Sequence, residues 1–302
     1  MAEQWRGVFT IPVTPFTERG DLDEESLKRL VDWCVRAGAH GIVAPVNASE
    51  GPTLTDEERR RVMRIVIETT AGRIPTVIGV SATGIHSSLL FTTWTRELGG
   101  DAVMAMPPYG ARLTDPEAIF GFYQAVADAA DGLPVFIQNW SGAQGTPMGA
   151  ALVVRLLKEI PNVSYAKEET TNASHLMTAT LAGAGDACLG VMGGIGARYL
   201  FDEFRRGACG TMPACQTTDI HAQVWNALDG GDEAGARRIF NRLLPLLNLE
   251  ALFGAAIYKE VLRRRGVIAS ATMRGYKTSS LDAFDHQELD AIWADVSPLF
   301  TI

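Results

Sequence analysis

The sequence predicts an α/β protein folded as a (β/α)8 TIM barrel with a C-terminal helical appendage. Two observations carry that prediction. Eight short apolar segments of strand character alternate with amphipathic helical patterns, and beyond Gly230 only helical patterns follow. Strands separated by helices run parallel, and eight such units are the repeat count of a closed barrel. The rival, a doubly wound open sheet, lacks its dinucleotide fingerprint after the first strand. Gly193-Gly194-Ile195-Gly196 is glycine-rich but does not have the G-x-G-x-x-G spacing.

The first strand reads as residues 7–13 and leads into the loop Thr14-Pro15-Phe16. Over residues 23–39, Leu27, Leu30, Val31, Cys34 and Val35 form the i, i+3, i+4 stripe of an amphipathic helix. Residues 41–46 make the second strand, and Thr55 with Glu58 three places later is the capping box that opens the next helix. The pattern repeats with strands at 75–80, 101–106 and 134–139 and helices from His86, Asp115 and Met148. The sixth strand is 163–169, and the last two are 187–192 and 207–212. Helical patterns at 232–248, 251–265 and 287–296 close the chain, so the barrel is assigned to residues 1–229 and the helical region to 230–302. The run Leu243-Leu244-Pro245-Leu246-Leu247-Asn248-Leu249 is too apolar for a free surface helix and predicts packing on the barrel or on another subunit.

Composition excludes several functions. Of 302 residues 47% are hydrophobic and 21% charged, the profile of an ordinary globular core. A net charge of −8 and the absence of a long basic run argue against nucleic-acid binding. No apolar run is long enough to span a membrane, and the start Met1-Ala2-Glu3-Gln4-Trp5-Arg6 has no apolar signal region, so a cytoplasmic protein is expected. Cys34, Cys188 and Cys209 read as core thiols and Cys215 as lying just beyond a strand. Neither the cysteines nor the five scattered histidines show metal-ligand spacing, so no metal or other cofactor is expected.

The chemistry centres on the sixth strand, Val163-Ser164-Tyr165-Ala166-Lys167-Glu168-Glu169. Strand side chains alternate faces, so Tyr165, Lys167 and Glu169 share one face and Glu168 points the other way. A lysine sheltered at a strand end is either ion-paired for stability or an amine nucleophile toward ketones. Barrel enzymes gather their chemistry at the carboxyl ends of the strands. Those ends supply Asn47-Ala48-Ser49-Glu50, Met106-Pro107-Pro108-Tyr109, Gln138-Asn139, Lys167 with Glu169, Gly193-Gly194 and Thr211.

Taken together the chain resembles the dihydrodipicolinate synthase/N-acetylneuraminate lyase family. The markers are Val13-Thr14-Pro15-Phe16, Gly41-Ile42-Val43 leading to Glu50 and Leu54-Thr55, Pro108-Tyr109, and Lys167-Glu168. The resemblance implies a Schiff-base lysine at Lys167 and a 2-keto acid substrate whose carboxylate is held at Asn47, Ala48 and Ser49. It also implies a homotetramer in which Tyr109 reaches a neighbouring subunit's site. Two departures stand out: the family's proton-relaying tyrosine falls at Gln138, and the arginine for a second substrate falls near Ala143. An amide cannot donate and reaccept a proton as a phenol does. Asn47-x-Ser49-Glu50, Ile137-Gln138, Gly145-Thr146-Pro147 and Glu169 are instead similar to the L-2-keto-3-deoxyarabonate dehydratase-like branch. The expected function is dehydration of a 2-keto-3-deoxy sugar acid. The catalytic residues are then Lys167, Glu169 and Tyr109, and Asn47, Ala48, Ser49, Gln138, Gly193 and Thr211 bind substrate. A pyruvate-dependent aldolase and a non-catalytic keto-acid-binding protein are the alternatives.

Overall fold

A computed structural model describes residues 4–110, 112–274 and 280–302. The strands β1 (Gly7–Thr10), β2 (Gly41–Val43), β3 (Thr76–Gly79), β4 (Ala102–Ala105), β5 (Val135–Trp140), β6 (Val163–Glu169), β7 (Gly190–Gly193) and β8 (Gly210–Thr211) follow one another around a closed parallel barrel. Helices α1 (Glu24–Arg36), α2 (Asp56–Thr70), α3 (Ile85–Leu98), α4 (Pro116–Ala130), α5 (Ala150–Glu159), α6 (Ala173–Ala184), α7 (Leu200–Arg205) and α8 (Thr218–Asp229) alternate with them. The (β/α)8 barrel expected from the sequence is therefore the fold. Several strands are shorter than their apolar runs, and proline is the reason at three of them. Pro12, Pro45 and Pro107 lack the N–H that a ladder needs, and β1, β2 and β4 stop just before them.

After the barrel come α9 (Glu233–Phe253), α10 (Ala255–Arg264) and α11 (Ala283–Val296). Helix α9 extends past the predicted 232–248 and runs through Pro245 to Gly254, whose φ of 53° ends it. Its Leu243, Leu246, Leu247 and Leu249 are buried, and the helix packs on α8, α10 and α11. Tertiary contacts divide the chain into two compact units that do not meet at residue 229. One holds Pro75–Met212 with the N-terminal segment to Arg6, and the other holds Gly7–Ile74 with Pro213–Ile302. The C-terminal helices thus group with β1, α1, β2 and α2.

In the first unit, register fixes what faces what. Gln138, Lys167, Met192 and Gly210 align across β5 to β8, and Asn139, Glu168, Gly193 and Thr211 align one residue further on. Aligned residues of parallel strands share a face, so these are two rows on opposite faces of the sheet. One pleat before Lys167, Phe136 and Tyr165 stack with ring centroids 4.4 Å apart. Trp5 stacks on both rings and donates its backbone N–H to the Tyr165 hydroxyl at 3.0 Å.

The second unit contains a buried ionic cluster. Lys259 is fully buried, ion-pairs with Glu50, donates to the Thr272 carbonyl at 2.8 Å and lies 4.3 Å from the centre of the Phe16 ring. Arg274 grips both Glu58 oxygens at 2.7 Å, and its backbone N–H reaches Glu50 at 2.9 Å. The Arg274 guanidinium, joined by the Thr55 capping bonds, lowers the Glu58 carboxyl to about 2. The predicted Thr55–Glu58 capping box is present and does double duty as an anchor for the 270–274 segment. Replacing Lys259 with Met strands the Glu50 charge in the interior. The expected cost is about 3–5 kcal/mol in denaturant unfolding, and much of it is recovered in the Glu50→Gln/Lys259→Met double variant.

Candidate active site

Strand β6 positions the central pair through its alternation. Tyr165, Lys167 and Glu169 lie on one face, Ala166 and Glu168 on the other, and the Phe136–Tyr165–Trp5 stack forms an apolar floor beneath the lysine. Lys167 Nζ stands 2.9 Å from Glu169 Oε2, with the two side chains only 4% and 11% exposed. Glu169 has further donors. The Gln138 amide reaches Oε2 at 3.0 Å, and the Ile195 backbone N–H reaches Oε1 at 3.1 Å. Burial pushes the Glu169 carboxyl up, but the Lys167 ammonium and these hydrogen bonds outweigh it and hold the group below the ordinary carboxylate value.

The turn carrying the Ile195 amide is unusual backbone. Ile195, Gly196 and Ala197 have φ of 50°, 65° and 62°, a left-handed run that a β-branched residue adopts only under constraint. Gly194 has no room for a side chain, because an added Cβ would run into Cγ and Oε1 of Glu169. On the opposite face Glu168 accepts from Asn139 Nδ2 at 2.8 Å and from the Thr170 N–H at 2.9 Å. Asn139 in turn holds both the N–H and the carbonyl of Met148, closing the loop after β5. Burial raises the Glu168 carboxyl, and the Thr170 and Asn139 hydrogen bonds oppose that rise.

Of the residues expected from sequence, Lys167, Glu169 and Gln138 come together. Gln138, expected to orient substrate hydroxyls, donates one amide N–H to Glu169. Gly193 and Thr211 lie in the row with Glu168, on the face away from Lys167, so the Thr211 hydroxyl is not brought to the lysine. The side-chain parity of β8, a strand of two residues, was too short to read in advance. Tyr109 is half-buried, and its backbone N–H is held by the Ala82 carbonyl at 3.2 Å. In the other unit Asn47, Ala48 and Ser49 form a single 3-10 turn ended by Glu50 at φ 54°. Thr14 donates to the Ser49 carbonyl at 2.6 Å, while the buried Ser49 hydroxyl makes no hydrogen bond. Cys34, Cys209 and Cys215 are buried as expected for the first two, whereas Cys188 is half-exposed.

One position beside the pair, Glu203, was not singled out from sequence. Glu203 is in fact fully buried on α7, and its carboxyl fills the space where a Gly193 side chain would be.

The barrel carries a buried lysine–glutamate pair at the end of β6, and comparison with known proteins supplies the family. The dihydrodipicolinate synthetase family matches residues 4–290, and the chain belongs to that family. L-2-keto-3-deoxyarabonate dehydratase of Azospirillum brasilense is 34% identical over 97% of this chain and 95% of its own length. The 4-hydroxy-tetrahydrodipicolinate synthase of Rhodospirillum centenum is 28% identical over 80% of this chain and 81% of its own. The crystal structure of dihydrodipicolinate synthase from Rhodopseudomonas palustris superposes with a TM-score of 0.88 at 25% identity, covering 96% of this chain and 97% of that one. Members of this family are lyases. No helix among the described residues is long and apolar enough to cross a membrane.

The depressed Glu169 carboxyl carries a stability signature. Its folded value lies below the ordinary carboxyl value of 4.5, so the unfolded chain takes up the proton first as pH falls. The stabilisation is complete above 4.5 and is lost as pH drops through the lowered folded value. As pH falls below about 5 the wild-type melting temperature should therefore drop more steeply than that of Glu169→Gln.

Proposed function

We propose that the chain is a Schiff-base hydro-lyase acting on a 2-keto-3-deoxy sugar acid, a reading supported by its A. brasilense relative, which is named a dehydratase of L-2-keto-3-deoxyarabonate. The observation that carries this reading is the buried Lys167–Glu169 pair, with an amide, Gln138, where a relaying phenol was expected. An amide can hold a carboxylate but cannot shuttle a proton, which leaves Glu169 as the group able to do so.

In this reading Lys167 gives a proton to Glu169 and attacks the C2 ketone; Glu169 returns that proton to the carbinolamine hydroxyl, which leaves as water, so that a protonated imine stands beside the carboxylate again. The cationic imine acidifies C3, and Glu169 as carboxylate removes a C3 proton to give the enamine. The enamine electrons expel the C4 hydroxyl, which leaves as water with the proton Glu169 has just taken. Loss of a C5 proton and return of a proton to C3 turn the unsaturated imine into a C5 enol; its tautomerisation gives the C5 carbonyl, and hydrolysis of the imine frees the lysine. Asn47, Ala48 and Ser49 are proposed to hold the substrate carboxylate, a role supported by the unpartnered Ser49 hydroxyl and the fixed Ser49 carbonyl. From the family resemblance we also infer a homotetramer, with Tyr109 acting across an interface. The synthase names among the relatives keep a pyruvate-releasing aldolase as the competing reading.

Pyruvate and borohydride should add the mass of a reduced adduct at Lys167, and Lys167→Ala should show none. Glu169→Gln should keep the adduct and lose roughly 10²–10⁴-fold in turnover on 2-keto-3-deoxy pentonates or hexonates. Near-normal turnover in that variant sinks the role given to Glu169. Release of pyruvate instead of a new 2-keto aldehyde assigns the chain to the aldolase reading.

A further inference from the structure

We propose that Glu203, as the uncharged acid, is a positioning residue for Glu169, backing the Gly193–Gly194 corner so that the left-handed turn keeps the Ile195 amide on the Glu169 carboxylate. The inference rests on the lyase reading above and adds to it a residue outside the pair.

The two glycines at the end of β7 lie between two carboxyls. A Cβ on Gly193 would run into Glu203, and one on Gly194 would run into Glu169. The next residue is Ile195, which donates to Glu169 from a left-handed conformation shared with Gly196 and Ala197. Such a run persists only where its surroundings hold it, and α7 begins three residues later with Glu203 in its first turn. Glu203 is fully buried, and neither carboxyl oxygen makes a hydrogen bond. A buried, unpaired carboxylate is costly, so the neutral form is the one that fits. The groups facing it agree. Burial first, then the Glu169 charge, Asp202 on its own helix and Glu168, push the Glu203 carboxyl up to about 8. The Lys167 cation is engaged by Glu169, and Arg206 and His175 face Asp202. Ionised Glu203 puts another negative charge against the corner, where it repels Glu169 and loosens the turn.

Glu203→Gln keeps the shape and removes the proton. It should hold kcat within about threefold of wild type at neutral pH. It should also stay level to about pH 9, where wild type falls roughly tenfold, with KM steady in both. Glu203→Ala, shown folded by its melting curve, should lose at least about tenfold in kcat with KM nearly unchanged. A second readout is independent of turnover. Because the folded value of about 8 lies above the ordinary carboxyl value of 4.5, the stability tied to the neutral acid is complete below 4.5 and lost by about 8. The melting temperature of Glu203→Gln should therefore gain on wild type as pH rises across that window. Parallel kcat profiles for wild type and Glu203→Gln, or full activity in Glu203→Ala, overturn the positioning role. A constant melting-temperature gap overturns the neutral acid itself. The pyruvate adduct of the wild type separates the two levels. With the adduct present, these outcomes judge Glu203 alone. Without it the lyase reading fails, and the melting-temperature gap still decides whether Glu203 is held uncharged.

Discussion

A lysine and a glutamate two residues apart on one strand, both nearly sealed from water and 2.9 Å apart, constrain much of what surrounds them. Two charges removed from solvent are tolerable only if each oxygen and each N–H finds a partner. That requirement explains the Gln138 amide and the Ile195 N–H on the Glu169 carboxylate. It also explains the glycine at 194, since any side chain there would displace the carboxylate. Beneath the pair, the stacked Phe136, Tyr165 and Trp5 close the approach from the other end of the strand. The pair therefore sits on an apolar floor with polar partners only at its own level.

Strand alternation divides the labour among three consecutive residues. Lys167 and Glu169 face one way, and Glu168 faces the helices, where it fastens Asn139 and Thr170. Asn139 then fixes Met148, so the loops after β5 and β6 are tied to each other by the residue between the two that face inward. The other unit solves a similar problem with a different set. Glu50 follows the turn Asn47–Ser49 and is held by Lys259 and the Arg274 amide, and Arg274 also grips the capping glutamate of α2. In the second unit the buried carboxylate is neutralised by groups far away in sequence, whereas in the first the partner lysine is two residues away.

Much of this was legible in advance, and what was not has physical reasons. Eight alternating units, the shared face of Tyr165, Lys167 and Glu169, and the Thr55–Glu58 capping box all follow from local periodicity, which sequence displays directly. Strand ends were overrun where apolar residues continued past a proline, because hydrophobicity outlasts hydrogen bonding there. The grouping of the C-terminal helices with β1 to α2 is a matter of long-range contact that no local pattern encodes. Glu203 was hidden for the same reason. In Leu200-Phe201-Asp202-Glu203-Phe204-Arg205 it has the look of a solvated helix acid, and only the missing side chain of Gly193 shows where its carboxyl goes.

The electrostatics around Glu169 bear on how one carboxylate could serve as base and then as acid in the proposed cycle. Burial is the largest influence on it and favours the protonated form, while the neighbouring cation at Lys167 is what keeps it ionised. A protonated imine preserves that cation, so the carboxylate remains a base while the C3 proton is being taken. Taking the proton turns the imine into a neutral enamine, and the attraction that held Glu169 ionised disappears at that moment. Burial then dominates, and the newly protonated group has every reason to deliver its proton to a leaving hydroxyl while the enamine pushes it out. A phenol whose charge state did not depend on the imine would lack this coupling. In the proposed mechanism, placing the carboxyl two residues from the lysine sets the order of the two proton transfers.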